Sequence, residues 1–191
     1  MDQSSRTHKK KCCCKKKRSI SCATIPSWMN KLLPRSSRSN QGTERIIGGK
    51  EAESPIPWQV QFKPIGERPE TFCGGTILDK YTILSAAHCI SCREITKDPS
   101  LLTFYRVIVG SLISSYPYCR PSEPGCGSYK IKKVIIHPKY DSSNEDNDFC
   151  IIKLTKPIVY NKDVRNICLP PSKQAPPGQM VVSGWGLTKC K

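Results

Sequence analysis

From Ile46 onward the sequence consists of short apolar runs separated by turn residues, and no run has the length and period of a long amphipathic helix. Residues 58–62, Trp-Gln-Val-Gln-Phe, place three apolar side chains on one face and two glutamines on the other, which is the pattern of a half-buried strand. Many short strands with turns between them predict an antiparallel barrel or sandwich. Five further runs are strand candidates: residues 72–78, 81–85, 104–109, 129–136 and 150–154.

Positive charge is concentrated at the start of the chain. The 191 residues carry a net charge of +16, and residues 1–45 hold 12 of the 31 Lys and Arg but only two of the 15 acidic residues. The run Lys-Lys-Lys-Cys-Cys-Cys-Lys-Lys-Lys at residues 9–17 repels itself and cannot be buried. We therefore predict that residues 1–45 are a disordered basic tail and pro-segment. No aromatic residues interleave these lysines, so we expect no specific nucleic-acid partner.

Cysteine content restricts the cellular compartment. Twelve cysteines in 191 residues indicate disulfides and an oxidising environment, and they argue against an ordinary reduced cytosolic enzyme. No window approaches ~18 apolar residues, so the sequence predicts no membrane-spanning helix. The basic start is not followed by the apolar segment of a secretory signal, and no signal peptide is visible.

Five segments carry a recognisable pattern in a fixed order. They are Arg-Ile-Ile-Gly-Gly at residues 45–49, Phe-Cys-Gly-Gly-Thr at 72–76, Leu-Ser-Ala-Ala-His-Cys at 84–89, Asn-Asp-Phe-Cys-Ile-Ile-Lys-Leu at 147–154 and Ser-Gly-Trp-Gly at 183–186. Together they resemble the trypsin-like serine proteases. In that family the corresponding segments are the activation junction, a cysteine-bearing strand, the histidine motif, the segment with the catalytic aspartate and the first strand of the second barrel.

The resemblance implies an all-β fold, namely a six-stranded antiparallel Greek-key barrel that is the first half of a chymotrypsin-like double barrel. Residues 46–166 would form this barrel. Residues 167–191 would be a linker and the first strand of a second barrel, with that strand at 180–185. We expect a serine-type endopeptidase, whose complete form hydrolyses a protein or peptide substrate.

His88 and Asp148 are the candidate catalytic residues. A serine hydroxyl is a poor nucleophile until an imidazole accepts its proton, and a buried carboxylate keeps that imidazole in the right tautomer. An isolated histidine is more often structural, but the Ala-Ala-His-Cys context and the matching Asp148 favour the catalytic interpretation. Asp141 and Asp146 compete weakly for the role of the acid, because neither begins an apolar strand.

The resemblance also implies an activating protease that cuts after Arg45, so that the new amino terminus at Ile46 turns inward to a buried carboxylate. The family's nucleophile lies in a Gly-Asp-Ser-Gly-Gly stretch, which this sequence does not contain. Ser111 and Ser128 each follow a glycine, but neither has a suitable turn. We expect the chain alone to be inactive, since loss of the nucleophile costs ~10⁶ in turnover. The alternative is a non-catalytic homologue that acts as a binding module.

The resemblance further implies that Cys73 pairs with Cys89 and closes the loop that carries His88. Cys168 matches a position that in many relatives tethers the cleaved pro-segment, and Cys22 is its candidate partner.

The remaining cysteines are assigned from their local surroundings. Cys119 and Cys126 bracket a loop that contains Pro and Gly, and we predict that they pair. Cys92, Cys150 and Cys190 have no assigned partner. We interpret Cys150 as a buried free thiol, because free cysteine packs as a small apolar residue.

We expect no cofactor and no metal. The family's calcium loop would fall at residues 111–126, where only Glu123 is acidic, and the lone Cys-x-x-Cys at residues 89–92 has no second pair at zinc-site spacing. The family and the disulfides predict an extracellular or secreted protein. Residues 9–17 also resemble a palmitoylated basic anchor, but we favour a wrongly assigned start or a skipped coding segment over membrane contact.

Overall fold

The computed structural model describes residues 51–65, 73–90, 95, 98–112, 119, 125–170 and 180–185. The predicted tail at residues 1–45 lies outside them. Within the described residues the chain forms strands and a 3-10 helix, with these bounds: β1 Gln59–Pro64, β2 Cys73–Asp79, β3 Thr82–Ser85, the 3-10 helix Pro99–Phe104, β4 Tyr105–Val109, β5 Gly127–Ile136 and β6 Cys150–Leu154.

The six strands form one closed antiparallel barrel in the order β1-β2-β3-β6-β5-β4. β1 closes the barrel by pairing with β2 on one side and with β4 on the other. The step from β3 to β6 is the Greek-key jump, and it sets these two strands side by side. Closure leaves no open edge. The predicted six-stranded antiparallel barrel is confirmed.

Alternating side chains fill the barrel. On β6, Cys150, Ile152 and Leu154 are buried, whereas the residues between them are partly exposed. Each aliphatic side chain buried in this way contributes ~1.5–3 kcal/mol. Gly75 on β2 leaves room for this packing, because a Cβ atom there would lie 2.9 Å from Cγ2 of Ile83.

After β6, residues 155–170 follow the outside of the barrel without forming a strand. The N–H of Ile158 donates to the carbonyl of Lys80 at 2.8 Å, and the N–H of Ile167 donates to the carbonyl of Ile77 at 2.9 Å. Ile158 and Val164 are buried against the core. These contacts bind residues 155–170 to the barrel.

The segment at residues 180–185 differs from the prediction. The structure assigns no strand there. Instead, Nε2 of Gln59 donates to the carbonyl of Ser183 at 2.9 Å, and Nε1 of Trp185 donates to the carbonyl of Leu112 at 3.0 Å. The predicted strand is therefore wrong. A strand needs a neighbour for its backbone groups, and no other described segment forms a strand ladder with this one.

The other strand predictions agree with the structure within two residues at each end. The 3-10 helix Pro99–Phe104 is not anticipated by the sequence analysis. Asp98 is its N-cap, and Oδ1 of Asp98 accepts a hydrogen bond from the N–H of Ser100 at 2.9 Å. A cap residue followed by proline is a recognised helix start, and this helix is too short for its apolar period to be visible.

Candidate active site

His88 lies in the turn that follows β3. Ala87 before it and Ile90 after it are both buried, and the N–H of Ile90 donates to the carbonyl of Ala87 at 3.0 Å. Cys89 forms a disulfide with Cys73 at the start of β2, with the two Cα atoms 6.0 Å apart. Buried apolar side chains and a covalent bond therefore fix the position of this turn.

Asp148 lies just before β6, and Asn147 turns the chain to present it. Asn147 has a φ of 55°, in the left-handed region that asparagine tolerates better than most residues. Its Nδ2 donates to the carbonyl of Lys139 at 3.0 Å, and its carbonyl accepts from the N–H of Phe149 at 2.7 Å. Backbone conformation and hydrogen bonds fix this second turn.

The pairing of β3 with β6 brings the two turns together. Ser85 at the end of β3 is the register partner of Cys150 at the start of β6. His88 follows Ser85 by three residues, and Asp148 precedes Cys150 by two. In an antiparallel pair the end of one strand lies beside the start of the other, so both side chains come to the same end of the barrel.

His88 and Asp148 contact each other at two points. Nδ1 of His88 lies 2.7 Å from Oδ2 of Asp148, and the backbone N–H of His88 donates to Oδ1 at 2.8 Å. Nδ1 is therefore the donor to the carboxylate, and Nε2 is the nitrogen able to accept a proton. The His88 side chain is 51% exposed and that of Asp148 21%, so the ring faces solvent more than the carboxylate does.

The pKa of Asp148 is lowered from its ordinary value. Burial is the largest single influence and would raise this pKa, but hydrogen bonds from the His88 side chain and backbone, the His88 charge and the N–H of Ala87 together outweigh it. Asp148 is consequently ionised at neutral pH. An ionised carboxylate at this position stabilises a protonated imidazole.

Cys150, two residues after Asp148, is the free cysteine of the described residues. Its Sγ donates to the carbonyl of Ala86 at 3.3 Å. Burial, with a smaller contribution from the Asp148 charge, raises the pKa of this thiol to about 12. The thiol is therefore neutral at physiological pH and does not act as a nucleophile.

The competing carboxylates bind within their own loop. Oδ1 of Asp141 accepts from the N–H and the Oγ of Ser143 at 2.9 and 2.7 Å. Asp146 accepts from Asn144 at 3.1 Å, and the backbones of Asp141 and Asp146 form an isolated bridge. Of the three aspartates, Asp148 contacts the candidate catalytic histidine.

Two further cysteine predictions have structural outcomes. Cys119 and Cys126 form a disulfide with their Cα atoms 5.4 Å apart. Cys168 is disulfide-bonded, and since the other described cysteines pair with one another or are free, its partner lies outside the described residues. The predicted sites that also lie outside the described residues are Arg45, Ile46, Cys22, Cys92 and Cys190.

One cluster has the composition of a metal site. Ligand atoms of Cys73, His88 and Cys89 lie within 4.8 Å of one another. Both sulfurs belong to the disulfide between Cys73 and Cys89, whereas metals bind the thiolate form of cysteine. The cluster therefore offers one nitrogen ligand and does not suit a metal ion.

Sequence analysis missed Asn147 as a residue that positions the site. A signal is present, because residues 144–147 read Asn-Glu-Asp-Asn and asparagine is enriched where a turn needs positive φ. The pattern does not reveal which asparagine takes that conformation. In the structure Asn147 does, together with Glu145 at a φ of 59°.

The structure is thus a closed antiparallel barrel that presents a histidine–aspartate pair beside the ends of two neighbouring strands. The family model described as Trypsin matches residues 46–191. The chain belongs to the trypsin family, which confirms the resemblance drawn from the motifs.

Individual relatives extend this finding. Transmembrane protease serine 11C of Mus musculus is 31% identical over 148 residues, which are 76% of this chain and 30% of the relative. Phenoloxidase-activating factor 3 of Holotrichia diomphalia is 31% identical over 185 residues, 90% of this chain and 51% of the relative. Mannan-binding lectin serine protease 1 of Homo sapiens is 29% identical over 184 residues, 86% of this chain and 25% of the relative.

The chain thus spans about half the length, or less, of the three relatives. No helix in the described part of the chain combines the length and the apolar character needed to cross a membrane.

Proposed function

We propose that this chain is part of a serine-type endopeptidase, in which His88 is the general base and Asp148 its carboxylate partner. The observation that carries the proposal is the two-point contact, 2.7 Å to the ring nitrogen and 2.8 Å to the backbone N–H of the same residue. Such a contact fixes both the tautomer and the orientation of the ring. These are the two properties that a general base needs before substrate arrives.

In the proposed reaction, a serine hydroxyl attacks the carbonyl carbon of a peptide bond while Nε2 of His88 takes the hydroxyl proton. The ionised Asp148 stabilises the imidazolium, which then gives its proton to the leaving amine. A water molecule attacks the acyl-enzyme in the same way, with His88 again as the base. The sequence contains no Gly-Asp-Ser-Gly-Gly stretch, so in this proposal the hydroxyl is not supplied by these 191 residues.

A test uses the protein captured with an antibody against the barrel from source cells whose own gene is either unchanged or edited to carry a single substitution. The captured protein should react with a fluorophosphonate probe and hydrolyse a peptide amide. Asp148→Asn should lower turnover by ~10⁴, because the ring loses its correct tautomer, and His88→Ala should abolish probe labelling. Asp141→Asn, a matched change in the same loop, should leave turnover unchanged. A captured protein that is inert to both reagents and binds a partner would establish the binding-module alternative instead.

We also propose that an activating protease cuts after Arg45 and that a disulfide between Cys22 and Cys168 keeps residues 1–45 attached. The bonded state of Cys168, with a partner outside the described residues, supports this pairing. The new amino terminus would begin at Ile46.

Limited digestion with trypsin tests the activation proposal. The larger fragment should begin Ile-Ile-Gly-Gly, and the two fragments should separate on a gel only after reduction. Cys22→Ser should release the small fragment without reduction, whereas the control Cys92→Ser should not. If the small fragment is released from the Cys92→Ser variant and not from Cys22→Ser, then Cys92 holds the small fragment and Cys168 is not paired with Cys22.

The disulfides support an extracellular protein that acts on a protein or peptide substrate, since such bonds persist in oxidising compartments. We propose residues 1–45 as the pro-segment, residues 46–166 as the first barrel and residues 167–191 as a connection. Detection of residues 125–170 by peptide mass spectrometry in medium, rather than in the cell lysate of the source, tests the location.

A further inference from the structure

Basic side chains cluster on the outside of the barrel where β4, β5 and β6 lie side by side. Arg106 of β4 is the register partner of Lys130 of β5, and Lys133 of β5 is the partner of Lys153 of β6. The three strands contain no Asp or Glu. We call Arg106, Lys130, Lys132, Lys133 and Lys153 the basic face.

A β-bulge increases the number of lysines on this face. Ile131 points into the core and is 8% exposed, so its neighbours Lys130 and Lys132 point outward. The register shifts between Ile131 and Lys133, which adds one residue to β5 and turns Lys133 outward as well. All three lysines are exposed. Without the shift, Lys133 would point to the opposite face of the sheet from Lys130 and Lys132.

The charge of the basic face is not neutralised by the part of the barrel that the structure describes. Among the described residues no carboxylate forms an ion pair with it. Nη1 of Arg106 donates to the carbonyls of Thr103 and Tyr105 at 2.8 and 2.7 Å, and Nζ of Lys153 donates to Oγ1 of Thr82 at 2.6 Å. These two cations are therefore held in position by neutral groups. Like charges directly opposite each other destabilise a sheet, and no ion pair with a described carboxylate offsets that cost.

An apolar strip continues the basic face along β5 and β6. Ile135 lies two residues beyond Lys133, points the same way and is 46% exposed; its register partner is Ile151. Phe149 is 44% exposed and its ring lies 4.5 Å from the ring of His137. Cations that form no ion pair with a described carboxylate and exposed apolar side chains thus lie on the same outer face of β5 and β6.

We propose that the basic face and the apolar strip together bind an acidic segment of a partner protein that carries an apolar side chain. The lysines attract the carboxylates and steer the encounter, and the side chains of Ile135 and Phe149 contact the apolar residue. A sulfated polysaccharide would use the lysines and leave the apolar strip without a role, so the strip favours a protein segment. The inference does not depend on the proposed catalysis, because it uses neither His88 nor Asp148.

Fluorescence anisotropy with the full 191-residue chain tests the proposal. One labelled probe peptide has six glutamates followed by Phe-Leu, and a second has the glutamates followed by Gly-Ser. The first should bind more tightly. Neutralising Lys130, Lys132 or Lys133 to Gln should weaken its binding roughly two- to fivefold for each lysine. Lys162→Gln, a lysine that is 87% exposed and lies outside the basic face, should leave binding within about twofold.

The apolar strip is tested separately with Ile135→Ser. This variant should weaken binding of the Phe-Leu peptide severalfold and leave the Gly-Ser peptide unaffected. Circular dichroism of each variant checks folding, and the remaining single lysine variants serve if one of them does not fold. Equal binding of the two peptides, with heparin bound more tightly than either, would overturn the proposal in favour of a polysaccharide site.

Residues 1–45 are also basic, so the binding position must be located directly. Carbodiimide crosslinking joins a peptide carboxylate to a lysine without a spacer, and mass spectrometry identifies that lysine. Crosslinks at Lys130, Lys132 or Lys133 are expected. Crosslinks confined to residues 1–45 would show that the tail, and not the barrel, binds the peptide, and the proposal would fail.

Discussion

The two turns that meet in the candidate active site are stabilised by different means. The His88 turn is fixed by a disulfide between Cys73 and Cys89 and by the buried side chains on either side of it. The Asp148 turn has no such covalent bond. It depends on a positive φ at Asn147 and on hydrogen bonds within its own loop.

Because of this difference, we expect the two turns to affect stability on different scales, the whole barrel for one and a few residues for the other. A disulfide that joins the start of β2 to the turn after β3 constrains the unfolded chain, so its loss affects the whole barrel. Loss of a turn conformation affects the few residues that the turn presents. We therefore expect changes at the His88 turn to act mainly on the free energy of unfolding, and changes at the Asp148 turn to act mainly on the His88–Asp148 contact.

The largest effect is expected when the covalent bond is removed. Changing both Cys73 and Cys89 to Ala should lower the free energy of unfolding by ~3 kcal/mol, on the chain-entropy model for a loop of this size. Urea denaturation measures the change. Changing both Cys119 and Cys126 is the matched control: the sequence separation is 7 instead of 16, so the loss should be smaller. A larger loss from the control pair would contradict the comparison.

The second effect concerns the carboxylate. Asp148→Ala removes two charge-assisted hydrogen bonds to His88. Because the site is partly exposed, we expect the free energy of unfolding to fall by about 1.5 kcal/mol, the lower end of the range for hydrogen bonds to charged groups. Asp148→Asn should lose less, since an amide oxygen still accepts from the His88 N–H. Denaturation gives the free energies, and NMR of the His88 ring protons reports the contact. Unchanged ring signals in the alanine variant would show that the contact does not orient the ring.

A smaller effect is expected at Asn147. Asn147→Ala should cost ~1 kcal/mol, because alanine pays more for a left-handed conformation. Asn147→Gly should cost less, since glycine adopts positive φ freely and only the hydrogen bond to Lys139 is lost. The same denaturation experiment ranks the two variants. Equal destabilisation by both would indicate that the amide hydrogen bond, and not φ, determines the turn.

The smallest effect is a pH dependence. The pKa of Asp148 is lowered in the folded state, so its contribution to stability is fully present above the unfolded pKa of about 3.9 and is lost as the pH falls through the folded value. The stability difference between the wild type and Asp148→Asn should therefore narrow below about pH 4. A difference that stays constant down to pH 2 would contradict the lowered pKa.

Much of the barrel could be predicted because its signals are local. β6 is predicted with the correct bounds, since Cys150, Ile152 and Leu154 alternate with less buried residues. The strand expected at residues 180–185 is absent from the structure. Its apolar pattern suits a strand, but a strand forms only where another backbone accepts its hydrogen bonds, and the pattern says nothing about such a neighbour.

The candidate site was predicted in part. The motif around His88 and the position of Asp148 before an apolar strand identified both residues, whereas the role of Asn147 was missed, because its backbone angle depends on the loop that it closes. The basic face was missed as well. It arises from strand register, since Arg106 and Lys130 are neighbours only after β4 pairs with β5.

The order of residues is enough to show which side chains alternate into and out of the strands, and which histidine and aspartate carry the family motifs. Folding of the barrel sets β6 beside β3, brings both oxygens of Asp148 into contact with His88 and gathers five cations on one face. The two kinds of property act over different distances along the chain. Side-chain alternation is a property of neighbouring residues, whereas the contact between His88 and Asp148 joins positions 60 residues apart and exists only once the barrel has closed.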